Sequence, residues 1–139
     1  KERKNSMRIM LDTNVLVSLL LFPNPQMNEM MENIFAEHQL VLSSFIVDEL
    51  KEVIKRKFPS KMKIVEELLM KMSYEYVYTP DEIDETLFEI RDANDYPVLY
   101  TAIVEDVDIF ITGDKDFTCI KVDKPEILTP ADFRSKYLQ

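Results

Sequence analysis

Asp12 directly follows the apolar run Met7 to Leu11, and Asp114 follows Ile109 to Thr112 across the single residue Gly113. Asp95 precedes Val98, Leu99, Ala102 and Ile103. At about 100° per residue those four side chains centre on nearly the direction of Asp95 itself. Glu49 lies one step off the stripe formed by Ile46, Leu50, Val53 and Ile54. Carboxylates beside or in line with core positions are costly to bury unless they are paired or bind a cation. The chain has one histidine (His38) and one cysteine (Cys119), so a soft-metal cluster and a Cys-His dyad are excluded. Four acids without nitrogen or sulfur ligands suit a hard cation, Mg²⁺ or Mn²⁺. Such a set supports phosphodiester hydrolysis by water and needs no protein nucleophile.

Each acid also has a plainer reading. Asp12 is placed to cap the helix that follows it, and Asp114 to serve as a turn acid beside Gly113. Asp95 stands where a carboxylate favours a helix start. Glu49 reads equally as an exposed helix acid.

The elements that would carry these residues alternate in type. Met7–Leu11, Leu40–Leu42, Tyr74–Tyr78, Val107–Thr112 and Glu126–Leu128 read as short strands. Helical patterns cover Thr13–Leu21, a segment through Met27, Met30, Met31, Ile34 and Phe35 to about His38, a segment capped by Ser43 or Ser44, and Ile64–Met72. A further helix begins near Asn94 or Pro97, and Pro130 opens a last one at a position where proline is tolerated. Gly113–Asp116 reads as a turn, Thr79–Glu85 as an acidic loop, and Leu87–Ile90 fits no single type. Alternation of this kind gives an α/β fold with a parallel sheet covered on both faces. Ligands then bind outside the carboxyl ends of the strands, where Asp12 and Asp114 fall.

The 139 residues make one domain, read as 7–139, and Lys1–Ser6 reads as a polar leader, native or artificial, outside the fold. One glycine excludes Gly-rich phosphate loops and dinucleotide fingerprints. No run approaches the roughly 18 apolar residues of a membrane helix. The lone cysteine points to a reducing compartment, the cytoplasm. The net charge of −9 is concentrated: residues 81–118 hold twelve acids and two cations, Arg91 and Lys115. Lys51, Lys55, Arg56 and Lys57 form an opposing basic strip that reads as an RNA-phosphate track or as a solvated helix face.

Four stretches together resemble a PIN domain. Leu11-Asp-Thr-Asn-Val15 resembles the family's opening motif, and Asp48-Glu-Leu50 the helix motif that supplies a second acid. Arg91-Asp-Ala-Asn-Asp-Tyr-Pro-Val-Leu99 resembles the Arg-Asp-Pro-x-Asp-Asp-Pro-Val-Leu pattern of a VapC-like toxin branch, and Thr112-Gly-Asp-Lys-Asp-Phe117 the late Thr-Gly-Asp-x-Asp motif. The resemblance implies a three-layer α/β/α fold with a mostly parallel five-stranded sheet in order 3-2-1-4-5. It implies a Mg²⁺- or Mn²⁺-dependent endoribonuclease, the toxin of a toxin–antitoxin pair. Asp12, Glu49, Asp95 and Asp114 would be the catalytic metal-binding acids, and Asp116 an accessory metal ligand. Asn14 and Thr112 would orient acids or water. The implied partners are an RNA substrate and an antitoxin protein. The apolar side chains Met27, Met30, Met31 and Phe35 read as core, or as an antitoxin or homodimer surface. Asn94 and Tyr96 depart from the acid-rich pattern, which leaves Asp92 as a competitor for the third ligand.

Two other classes meet the same residues less well. A haloacid-dehalogenase-like phosphatase needs a second acid where Asn14 stands, and a late acid where Thr118 stands. A non-catalytic module that only binds RNA or an antitoxin would not require all four acids.

Overall fold

The structure is a computed structural model that describes residues 6–138. All but Ser6 of the polar leader therefore lies outside the described residues, as does Gln139. The five strands are β1 (Arg8–Leu11), β2 (Gln39–Ser43), β3 (Glu75–Val77), β4 (Ile109–Ile111) and β5 (Glu126–Leu128). They form one parallel sheet in the order β3-β2-β1-β4-β5. Ile9 pairs with Leu40 on one side and with Ile109 on the other, which puts β1 at the centre. Ile9, Met10, Leu11, Val41, Leu42, Phe110 and Ile111 are all fully buried. Side chains alternate across a strand, so burial along its whole length means that helices cover both faces. The result is the three-layer α/β/α arrangement.

The helices are α1 (Thr13–Leu21), α2 (Pro25–Glu37), α3 (Ser44–Lys57), α4 (Met62–Lys71), α5 (Tyr96–Val104), α6 (Lys115–Thr118) and α7 (Pro130–Tyr137). α3 packs against α1, α4 and α5, while α2 packs against α7. Side-chain oxygens cap several of the starts. Asn24 accepts from the Met27 N–H at 2.8 Å, Ser43 from Ile46 at 3.1 Å and Thr129 from Asp132 at 3.1 Å. Each bond satisfies a backbone donor that has no partner within its helix. Lys55, Arg56 and Lys57 fall in the last turn of α3, where positive charge complements the carbonyl end of the helix.

One local feature differs from the sequence reading, and two more were left open by it. Gly113–Asp116 reads as a turn, yet a single helical turn, α6, begins at Lys115. It forms because Phe117 is buried edge-on against Phe110, with ring centres 5.1 Å apart. Leu87–Ile90 forms no regular element. Phe88 is held instead by stacking on Tyr96 at 4.1 Å, with the ring planes 9° apart. At the end of α5, Asp106 turns the chain in the left-handed region (φ 57°), a conformation that aspartate tolerates better than most residues. On α2, Met30, Met31 and Ile34 are core, Met27 is half-buried and Phe35 is exposed. No helix among the described residues is long and apolar enough to cross a membrane.

Candidate metal centre

β1 and β4 are adjacent and parallel, so their carboxyl ends open on the same edge of the sheet. Asp12 emerges from β1 there, and Asp114 follows β4 after two intervening residues, Thr112 and Gly113. Asp12 is 7% exposed. Its Oδ1 accepts the Thr13 N–H at 2.8 Å and its Oδ2 accepts the Thr112 hydroxyl at 2.7 Å. Thr112 is fully buried, and its oxygen also accepts the Asp114 N–H at 3.0 Å. One hydroxyl thus ties the acid of the first strand to the backbone of the acid after the fourth. Asp114 in turn caps α6, accepting the Asp116 N–H at 2.9 Å.

Asp95 ends a 3-10 turn (Ala93–Asp95) at the start of α5 and makes no side-chain capping bond. That separates it from Asp92, whose carboxylate caps the 3-10 turn through the Asn94 N–H at 3.0 Å. Asp95 is half-buried and faces the other acids. One carboxylate oxygen from each of Asp95, Asp114 and Asp116 lies within 4.8 Å of the others. Burial pushes the Asp95 carboxyl up to about 6, reinforced by the charges of Asp92, Asp114, Asp12 and Glu49 in that order. Asp12 is also raised. Burial is again the main cause, opposed by the bonds from Thr112 and Thr13 and reinforced by Glu49 and Asp114. Carboxylates that raise one another in this way are short of positive charge.

Glu49 is half-buried on α3 and accepts the hydroxyl of Thr13. Thr13 was not singled out from the sequence, where a threonine after Asp12 reads only as a helix residue. Asn14 is exposed, and its side chain makes no hydrogen bond among the described residues. Lys51, Lys55, Arg56 and Lys57 are all exposed. α3 starts at the carboxyl end of β2 and runs away from that edge. At 1.5 Å per residue, Lys55–Lys57 lie about 10 Å further along the helix than Glu49. Arg91 had no role in the sequence reading. Its guanidinium grips Asp116, with Nε 3.1 and 3.0 Å from the two carboxylate oxygens and Nη2 2.8 Å from Oδ2.

The donor set fits a hard divalent cation. It is all carboxylate oxygen and convergent, and apart from Asp116, which Arg91 pairs, it is short of positive charge.

A family model described as PIN domain matches residues 8–116. The chain belongs to the PIN domain family. The match runs from β1 to Asp116 and so takes in each acid of the cluster. PIN domains are generally nucleases that use divalent metal ions, which supports a hydrolase here. Two solved structures are similar to this PIN domain in fold. VapBC2 from Rickettsia felis, crystallised with a DNA fragment from its promoter, is 21% identical with a TM-score of 0.69, and the match covers 88% of this chain and 97% of that one. FitAcB from Neisseria gonorrhoeae is 20% identical with a TM-score of 0.60, covering 88% and 98%. None of the curated proteins compared matches this chain.

Proposed function

We propose that this PIN domain is a Mg²⁺- or Mn²⁺-dependent endoribonuclease of the cytoplasm, the toxin of a toxin–antitoxin pair. The observation that carries the reading is the convergence of Asp95 and Asp114 within 4.8 Å beside buried Asp12, at the edge where open α/β sheets bind ligands.

Asp12 and Asp95 would hold the principal cation. Glu49 and Asp114 would complete its shell or hold a second one, with Asp116 at the rim. A divalent cation bound there supplies Lewis acidity and neutralises charge on the phosphodiester. The chain's own part is to fix the acids before substrate arrives. Thr112 and the Thr13 N–H lock Asp12, Thr13 orients Glu49, and the cap from Asp114 sets the start of α6. Pre-organised charge of this kind avoids reorganisation during the reaction. Hydrolysis adds water across the P–O bond, hydroxide to phosphorus and the proton to the leaving oxygen.

The similarity to the VapBC2 and FitAcB complexes supports a protein antitoxin as partner. A groove of about 420 Å³, lined by Leu19, Leu20, Pro23, Met31, Phe35 and Leu68, offers such a partner an apolar surface. The test is Mn²⁺-dependent cleavage of a mixed RNA, comparing wild type with Asp95→Asn and with chelator. Cleavage that both chelator and the substitution abolish, with the fold intact, supports the reading. A purified wild type that never cuts, or a variant that cuts equally, overturns it.

A further inference from the structure

Arg91 is the one cation among the described residues that forms an ion pair with an acid of the cluster, and its side chain is 78% exposed against 20% for Asp116. Ion pairs open to water contribute little to stability, so folding energy gives no account of this bidentate contact. The segment that carries Arg91 is nonetheless built to hold it. Phe88 stacks on Tyr96, the Tyr96 hydroxyl donates to the Asp84 carbonyl at 2.7 Å, and it accepts the Leu87 N–H at 3.2 Å. These contacts fix the chain immediately before Arg91 to the start of α5, the helix that Asp95 leads.

Charge says what this placement does. A polyanion approaching residues 81–118 meets twelve acids and two cations. The other cation, Lys115, is exposed and forms no ion pair among the described residues. Within the guanidinium, Nε and Nη2 are engaged by Asp116, while Nη1 makes no hydrogen bond among the described residues. A guanidinium has five N–H donors in a rigid fork that matches phosphate oxygens. Held on one side by a carboxylate, it presents its remaining donors at the rim of the cluster. Both oxygens of Asp116 accept from Arg91, so a cation sharing Asp116 would sit against like charge.

We propose that Arg91 binds a phosphate of the RNA strand at the mouth of the carboxylate cluster, and that Asp116 positions Arg91 instead of ligating the cation. This rests on the nuclease reading above and assigns the residue that lets a polyanion approach so acidic a site.

The experiment measures two quantities on wild type, Arg91→Ala, Arg91→Lys and Asp116→Asn. One is Mn²⁺ binding without RNA, from the electron paramagnetic resonance signal of free Mn²⁺. The other is single-turnover cleavage of a mixed RNA across RNA concentrations. Arg91→Ala is expected to bind Mn²⁺ at least as tightly as wild type, yet to need about tenfold or more RNA to reach half its maximal rate, the loss of one charge-assisted contact. Arg91→Lys keeps the charge without the fork and falls between the two. Asp116→Asn keeps Mn²⁺ binding and loses RNA affinity less severely. Arg91→Ala with a wild-type RNA dependence overturns the proposal while leaving the nuclease reading in place. Loss of Mn²⁺ binding in Asp116→Asn overturns the assignment of Asp116. A wild type that neither binds Mn²⁺ nor cuts removes the nuclease reading, and this proposal with it.

Discussion

Thr112 donates its hydroxyl to Asp12 Oδ2 at 2.7 Å and accepts the Asp114 N–H on the same oxygen at 3.0 Å. Two acids 102 positions apart in the sequence are thereby coupled through one buried atom. Replacing Thr112 with Val keeps the shape and removes the hydroxyl. Asp12 then loses a donor in a place where water cannot replace it. Urea unfolding at pH 7 should show a loss of about 1–3 kcal/mol, and Thr112→Ser should recover most of it. A Val variant as stable as wild type would show that the hydroxyl does not hold Asp12.

The acids also set a pH dependence. Asp95 has its carboxyl pushed from 3.8 up to about 6 in the folded protein. Below the lower value both folded and unfolded chains carry the proton, and the site costs nothing. Between the two values the folded chain holds a proton that the unfolded chain has released, so stability falls as pH rises. Above about 6 the penalty is complete. Because Asp95 is partly open to water, screening reduces it to about 1–2 kcal/mol. The difference in stability between Asp95→Asn and metal-free wild type should therefore grow from pH 4 to pH 7 in favour of the variant. Added Mn²⁺ should raise the wild-type melting temperature more at pH 7 than at pH 5, by mass action on a site in which Asp95 is then charged.

How much of this was legible in the sequence depends on the range of the interaction. Met7–Leu11 and Val107–Thr112 are apolar runs, so the strands and the acids that follow them could be located locally. The alignment of Asp95 with Val98 and Leu99 is a helical period, also local, and its half-buried place follows from it. The strand order came from the resemblance, because nothing in a strand's own residues names its neighbours. Thr13 and Arg91 were missed for the same reason. Their partners, Glu49 and Asp116, lie 36 and 25 residues away, and no periodicity links them. The charge of the basic strip was legible. Its distance from Glu49 was not, because that depends on which way α3 leaves the sheet. The turn at Gly113 hid α6, since a helix of four residues has no period to detect.

Phe117 shows how closely packing and the site are joined. It is 1% exposed, packs on Phe110 of β4, and directly follows Asp116. Phe117→Ala removes a large core side chain and should cost about 3–5 kcal/mol. A domain of this size has about 5–15 kcal/mol in all, so the melting temperature should drop steeply. Phe117→Leu keeps most of the volume and should stay folded at 25 °C. If the short helix places Asp114, which caps it, the Leu variant should also bind Mn²⁺ more weakly than wild type in calorimetry. Unchanged Mn²⁺ affinity would separate the core of α6 from the site.

Thr13 offers the cleanest separation of function from stability. Its hydroxyl donates to Glu49, and its backbone N–H donates to Asp12. Thr13→Val removes the first bond and keeps the second, along with the β-branched shape. Glu49 is half-buried, so its carboxylate can turn to water once the hydroxyl is gone. The stability change should therefore stay below about 1 kcal/mol. Catalysis should respond more strongly, because an acid free to rotate must be ordered anew in each turnover. A fall of about tenfold in the cleavage rate is expected, with little change in the RNA concentration that half-saturates it. Thr13→Ser restores the donor and should restore the rate. If Thr13→Val instead cuts at the wild-type rate, Glu49 does not need its partner, and its place among the working acids would have to be given up.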